Sequence, residues 1–514
     1  MLGFLPGGKV DHPMADAKRA REIVAELPVD SLKALAEITH WLESLREAQA
    51  FKADRLFENI ALLDGAARSH QRKLSQDYFS TSRQQKFQEN RLWTSVHAFW
   101  KALSDGYLDC VSGFESGQTG GMAFRSNLPV IVARTLRALT LQLKWVLVRY
   151  GAVEPRLWKE IGRLYQFAES AGFVDSLVDI YPGNHDGGTV RQEFLRAMLL
   201  GVSATDMLRP VHQEIAERLV AHFSPGFRMK SEPGPGCGYC FDVIAGKPPL
   251  RTVGDSSGKG AIRYFGAGDA FQQLLALEAK IAESGGIPEN IRLGGSYDKL
   301  AVLPVLRHLA AYWSDDAPAR SAERRKTATR VTVLHGLNEI LSALNPAQND
   351  ELDFSDDNAA ESWIIENVSA GGYGAIIPAT RSDWVRVGAL IGVRGETEKR
   401  WGVGIIRRVA RDEHQQRRVG VQLISKTVIP AKLGRPAGIP GPGAGAPAES
   451  ALLLSASPDS RGEIAVLLRE GAYNSRDSLE MSVNGKPYLL MPVKLTEGGE
   501  DFDWAKFRVM ARSD

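Results

Sequence analysis

The chain has 514 residues, 44% of them hydrophobic and 24% charged, too many for one typical domain and enough to bury several cores. Its 63 lysines and arginines almost balance its 61 aspartates and glutamates, which excludes the strong basic field that bulk binding to a nucleic-acid polymer or an anionic membrane surface requires. Three cysteines cannot build a disulfide framework and suit a reducing compartment.

The first residues, Met1-Leu2-Gly3-Phe4-Leu5-Pro6, are too short and too early broken for a secretory signal. From about residue 14 to 225 apolar residues recur at helical spacing, with Leu32, Leu35, Ile38, Trp41, Leu42 and Leu45 on one face and Leu136, Leu139, Leu143 and Leu147 on another. The most apolar helix, 129–148, carries Arg134, Arg137 and Lys144, so no membrane insertion is expected and the protein reads as soluble and cytoplasmic. Trp158, Gly162 and Tyr165 match the opening of a tetratricopeptide repeat apart from Ile161, but no second copy follows at the repeat period. Residues 1–225 therefore read as one helical domain, either an irregular helical-hairpin array or a bundle.

Residues 226–266 interrupt the helices with glycine, proline and short β-like runs at 240–244 and 261–265, and read as a small β insertion. Cys237 and Cys240 form a C-x-x-C there. No second ligand pair accompanies it for zinc, and it enters a strand rather than the helix of a thioredoxin-like unit, so it reads as a pair of buried or turn cysteines and no metal site is expected. The loop 254–260 is glycine-rich, but Val253 and Gly260 stand where a phosphate loop needs its first glycine and its magnesium-binding hydroxyl. Helices resume at 270–284 and 299–313, completing the N-terminal region over 267–318.

A third domain is expected over 319–433. It opens on a basic run, Arg324-Arg325-Lys326-Thr327-Ala328-Thr329-Arg330, leading into an alternating strand. A short helix near 337–344 and an acidic loop with Asp350, Glu351, Asp353, Asp356 and Asp357 follow. Next come two apolar strand-like runs, 363–365 and 375–377, around Asn367, Ser369, Gly371 and Gly372 in the spacing N-x-S-x-x-G. The glycines let the backbone turn and come close to a ligand. Asn367 and Ser369 can donate and accept. Guanidinium binds phosphate in a fork, pairs with guanine O6 and N7, and stacks on a base.

With the later strands at 401–409 and 419–424, this region, roughly a fifth of the chain, resembles a PilZ domain. In that family the paired motifs R-x-x-x-R and D/N-x-S-x-x-G bind the bacterial second messenger cyclic di-GMP. The second motif matches at Asn367, Ser369 and Gly372. In the first, the position four before Arg330 is Lys326, with Arg325 and Arg324 five and six back. The resemblance implies that Arg330 and Arg325, assisted by Arg324 or Lys326, hold phosphates and a guanine edge. It further implies that Asn367 and Ser369 take the other guanine, while Gly371 and Gly372 admit the ligand. The basic run joins the helical region to the barrel, so its ordering on the ligand is expected to work as a switch toward a protein partner. A PilZ barrel that keeps the fold as a protein-contact scaffold without the nucleotide is the alternative.

Residues 434–448 are a Gly/Pro/Ala linker or long loop. Beyond it, 463–468, 478–483, 488–493 and 507–510 alternate like strands, with Asn484-Gly485 as a two-residue hairpin turn, so 449–514 reads as a small β unit that completes the barrel or packs beside it. No nucleophile, paired-carboxylate or metal pattern is recognisable, so neither catalysis nor a cofactor is expected. The fold class that emerges is α+β and multidomain: an N-terminal all-α helical-hairpin region, then a PilZ-like antiparallel β-barrel with an additional small β unit.

Overall fold

The computed structural model describes residues 11–48, 51–81, 85–181, 187–252, 261–316, 318, 324–344, 360–377, 384–412, 416–434, 448–483 and 486–511. The glycine-rich loop 254–260, the acidic loop residues Asp350 to Asp357, most of the Gly/Pro/Ala stretch and the Asn484-Gly485 turn lie outside them. The chain divides into two compact units, Met1–Pro318 and Ala319–Asp514.

In the first unit, helices α1 (Ala17–Ala25), α2 (Ser31–Glu47), α3 (Ala53–Ser80), α4 (Lys86–Glu115), α5 (Leu128–Val148), α6 (Pro155–Ser170), α7 (Val190–Val202) and α8 (Pro210–Phe223) surround one core. Caps start several of them. Asp16 and Asp30 carboxylates accept the first free N–H groups of α1 and α2, and Thr189 with Gln192 forms a reciprocal capping box on α7. Leu35, Ile38 and Leu42 of α2 are fully buried, as their helical spacing requires.

The charges in the apolar helix α5 are buried or half-buried with partners. Lys144 is 3% exposed and pairs with Glu214 and, at 3.2 Å, with Glu217 of α8. Arg137 forks onto Glu193 of α7 at 2.7 and 3.0 Å, and Arg134 Nε donates to the Ile180 carbonyl at 2.7 Å. Buried charges persist only with such partners, and these bonds tie α5 to α7 and α8. No described helix is long and apolar enough to cross a membrane.

Strands β1 (Arg228–Lys230), β2 (Tyr239–Asp242), β3 (Leu250–Arg251) and β4 (Ile262–Gly266) form a small sheet in the order β1-β4-β2-β3. It lies on α6. A Cβ at Gly162 would sit 2.2 Å from the Val243 carbonyl oxygen, so the glycine of the repeat-like motif serves a strand end rather than a second helix of a repeat. Cys237 is buried in the turn before β2, and Cys240 is half-buried on it. Helices α9 (Asp269–Ser284) and α10 (Lys299–Trp313) close the unit, adding Leu274, Ile281, Val305 and Leu309 to the same core.

The second unit is a tandem of barrels. The first comprises β5 (Arg325–His335), β6 (Ala360–Ser369), β7 (Gly372–Ile377), β8 (Leu390–Gly395), β9 (Gly402–Arg411) and β10 (Arg417–Ser425), closed in the order β10-β7-β6-β5-β8-β9 with α11 (Gly336–Leu344) after β5. The second comprises β11 (Ile429–Gly434), β12 (Glu449–Leu453), β13 (Glu463–Leu468), β14 (Leu479–Val483), β15 (Lys486–Gly498) and β16 (Asp503–Ala511), closed in the order β11-β12-β13-β16-β15-β14. The small C-terminal β unit is thus a closed barrel of its own, packed beside the first. Its opening strand β11 pairs with β12 and β14 rather than within the first barrel, where the sequence places it.

Leu337, Ile340 and Leu341 of α11 sit in one core with Leu390, Val403 and Ile405 of the first barrel and Leu452, Leu467 and Phe502 of the second. Asp501 accepts the Leu337 N–H at 2.8 Å, and Arg407 of β9 forks onto Glu497 of β15 at 2.6 and 2.7 Å. At the far end of β6, Glu361 accepts from both Trp363 and Trp384 indoles at 3.0 Å, and His335 stacks on Trp384 at 4.4 Å. That stack holds β5 and β6 in register.

Candidate functional site

The basic run is strand from Arg325 onward. Arg325 lies opposite Val368, Lys326 opposite Asn367 and Arg330 opposite Ile364, with a bulge between Lys326 and Thr329. From Arg325 onward the run is held by pairing with β6. Because strand side chains alternate, Arg324 and Lys326 share a face and Arg325 takes the other. Arg324 Nη1 donates to Asn367 Oδ1 at 3.2 Å. The arginine brought to Asn367 is Arg324, where spacing alone favours Arg325.

A second bulge, at Glu366 between Ile365 and Asn367, sets Asn367 opposite Gly374. Two rows of facing residues then cross the sheet. One runs Arg330, Ile364, Ile376, Arg418 and Ala410; the other runs Lys326, Asn367, Gly374, Gly420 and Arg408. Residues opposed in this way lie about 4.5–5.5 Å apart at Cα. Five cations, Arg324, Lys326, Arg330, Arg408 and Arg418, surround a floor without side chains at Gly374 and Gly420, flanked by Ile364, which is 39% exposed. Arg418 meets two carboxylates among the described residues, Glu366 at 3.6 Å and Asp412 at 3.3 Å. Arg330 is exposed and has no side-chain partner among the described residues.

The motif glycines divide their work. A Cβ at Gly372 would lie 2.0 Å from the Val421 carbonyl oxygen, so this glycine is required by the packing of β7 against β10. Gly371 is exposed with nothing within 4 Å of its Cβ position, and is the one that leaves room for a ligand. Ser369 Oγ donates to the Gly372 carbonyl at 3.1 Å and holds the turn. Gly374, beyond the motif, gives Asn367 its place: a Cβ there would be 2.8 Å from Asn367 Nδ2 and 2.9 Å from Oδ1. Behind this face the Tyr373 phenol is buried without a hydrogen-bond partner among the described residues, and burial pushes its pKa up. The outward face is thus glycine-floored and basic, a surface that attracts anions.

Residues 18–233 match the family model for the N-terminal domain of the cyclic-di-GMP receptor FimW, and residues 343–430 match the model for its middle PilZ domain. The chain belongs to this PilZ-containing receptor family. The PilZ match begins within α11, so it takes in Asn367, Ser369, Gly372, Gly374, Arg408 and Arg418 but not the basic run on β5. The N-terminal match spans α2 to α8 and reaches the small sheet. The second barrel follows the PilZ barrel, in keeping with a domain described as the middle one. A search of curated proteins finds no relative that matches. Both matched models describe the family as one of receptors.

Proposed function

We propose that this protein is a bacterial, cytoplasmic effector that binds cyclic di-GMP on the outer face of its PilZ barrel and relays it to a protein partner through the helical unit. The observation that carries the reading is the Arg324–Asn367 pair seated over Gly374, one row from Arg330, which has no side-chain partner among the described residues. Arg324, Arg330 and Lys326 take the phosphates and a guanine edge, with Arg325 at the strand margin. Asn367 reads the second guanine, Ser369 and Gly372 keep the turn in shape, and Gly371 leaves the approach open. The receptor description of both matched domains supports the ligand. No cofactor and no catalytic residue belong to this reading.

One observation favours a second reading. Lysine, not arginine, stands at the fourth position before Arg330 and opposite Asn367, so the barrel could serve as a protein-contact scaffold without the nucleotide. Calorimetric titration of the full chain with cyclic di-GMP, against GTP and cyclic di-AMP, separates the two. Under the effector reading binding is selective, and Arg330→Ala, which removes a charge-assisted contact, weakens it by roughly 1.5 to 3 kcal/mol. Absence of heat together with an unchanged melting temperature would leave the scaffold.

A further inference from the structure

The helical unit holds a cavity of about 530 Å³ that the barrel site does not involve. Six arginines line it: Arg68 and Arg72 of α3, Arg137 of α5, Arg196 of α7, Arg218 of α8 and Arg292 from the loop after α9. Guanidinium groups gathered so densely repel one another, and such an arrangement persists only where anions answer it. The protein supplies part of the answer. Arg137 and Arg196 share Glu193, Arg196 also reaches Glu217 at 3.3 Å, and Arg218 pairs with Glu214 at 2.9 Å.

Arg72 and Arg292 are left without a carboxylate partner among the described residues, and Arg68 meets Asp64 through its charge alone. Arg68 also lies over the Tyr181 ring at 4.5 Å. The Asp64 carboxylate accepts from the Tyr107 and Tyr181 hydroxyls at 2.7 and 3.3 Å. Residues 68 and 72 are four apart on α3 and so present their guanidiniums on one face. Gln76, four further on, donates to the Gly294 carbonyl at 2.7 Å and pins the loop that carries Arg292 against the same helix. Arg72 and Arg292, with Arg68 beside them, therefore line one opening, while Phe99, Trp100 and Leu141 give the wall an apolar part.

We infer that the helical unit carries a second ligand site, which takes a phosphorylated small organic molecule in this arginine-lined cavity. Arginine forks fit phosphate oxygens in pairs, and the volume lies in the range of sites for small ligands. Trp100 and Leu141 receive the carbon skeleton. A bare anion would leave that apolar wall unused.

The probes are GMP and inorganic pyrophosphate, with guanosine as the control that lacks phosphate, titrated calorimetrically into the full chain at low and moderate salt. The expected result is binding of GMP at one site per chain, none of guanosine, and affinity reduced about tenfold or more in Arg72→Gln/Arg292→Gln. Both of those side chains are exposed, so the double variant should keep its fold. Arg68→Gln repeats the test from the half-buried side. Arg330→Ala, on the barrel, should leave GMP binding unchanged, so this site and the cyclic di-GMP site succeed or fail separately. No heat from GMP or pyrophosphate at millimolar concentration would overturn the inference, as would binding that survives the cavity variants or disappears with Arg330→Ala.

Discussion

Gly374→Ala should separate ligand binding from folding. The added Cβ would fall 2.8 Å from Asn367 Nδ2 and 2.9 Å from Oδ1, closer than packed atoms tolerate. What it meets is the far end of a flexible side chain, so the amide swings aside and the strands stay together. That movement breaks the 3.2 Å bond from Arg324 and takes the amide off the binding face. Hydrogen bonds to charged groups contribute about 1.5–3 kcal/mol, so cyclic di-GMP affinity should fall roughly 10- to 150-fold. Stability should hold or rise, because Gly374 is not among the residues with positive φ and alanine lowers the entropy of the unfolded chain by about 0.4–1 kcal/mol equivalent. Calorimetry gives the first quantity and urea denaturation the second. A folded variant that binds within about twofold of the parent would refute the placement of Asn367 at the ligand.

Three further outcomes follow from the geometry. Gly372→Ala does the opposite of Gly374→Ala: its Cβ meets the backbone oxygen of Val421 at 2.0 Å, which cannot rotate away, so about 1–3 kcal/mol of stability should be lost, read as a lower urea midpoint. Phe502→Ala, at a fully buried position of the core shared by both barrels, should cost about 3–5 kcal/mol and lower the unfolding of the two barrels together; separate transitions with only the second one shifted would argue against a common core. Burial, followed by the nearby charges of Arg209 and His308, pushes the His212 pKa down to about 4. Between that value and about 6.5 the unfolded state binds the extra proton, so stability falls as pH drops through this window, by up to about 1.4 kcal/mol per pH unit. His212→Gln should flatten that slope in urea titrations at successive pH values.

Much of this architecture is legible in the sequence because single faces are buried. The helix at 337–344 and the strands after residue 463 show the period of their element, and the runs around Trp363 and Ala375 stand out as short apolar stretches on either side of glycines. Strand β8 escapes for the reverse reason. Its residues Leu390 to Val393 are buried on both faces, one side lying under Ile340 of α11, whose Cγ1 would be 2.8 Å from a Cβ at Gly392, so no alternation marks it. The stretch 435–447, outside the described residues, has the composition of an interdomain linker, yet it joins two strands that pair with each other. At the site, Asn367 and Ser369 stand out as a motif. Gly374, Gly420, Arg408 and Arg418 do not, because they meet Asn367 and Arg330 only through strand register. The exchange of Arg325 for Arg324 likewise depends on a bulge, which composition does not reveal.

The α11 core has a practical consequence for dissecting the molecule. A fragment ending at residue 430, where the PilZ match stops, would strip Leu452, Leu467 and Phe502 from Leu337, Ile340 and Leu341 and present their greasy faces to solvent. Such a piece would be prone to aggregate whatever its ligand affinity, and a failed titration on it would say nothing about the nucleotide. A receptor module that keeps both this core and the Arg324–Asn367 pair runs from Arg324 through β16, and the second barrel is in that sense part of the PilZ domain's foundation.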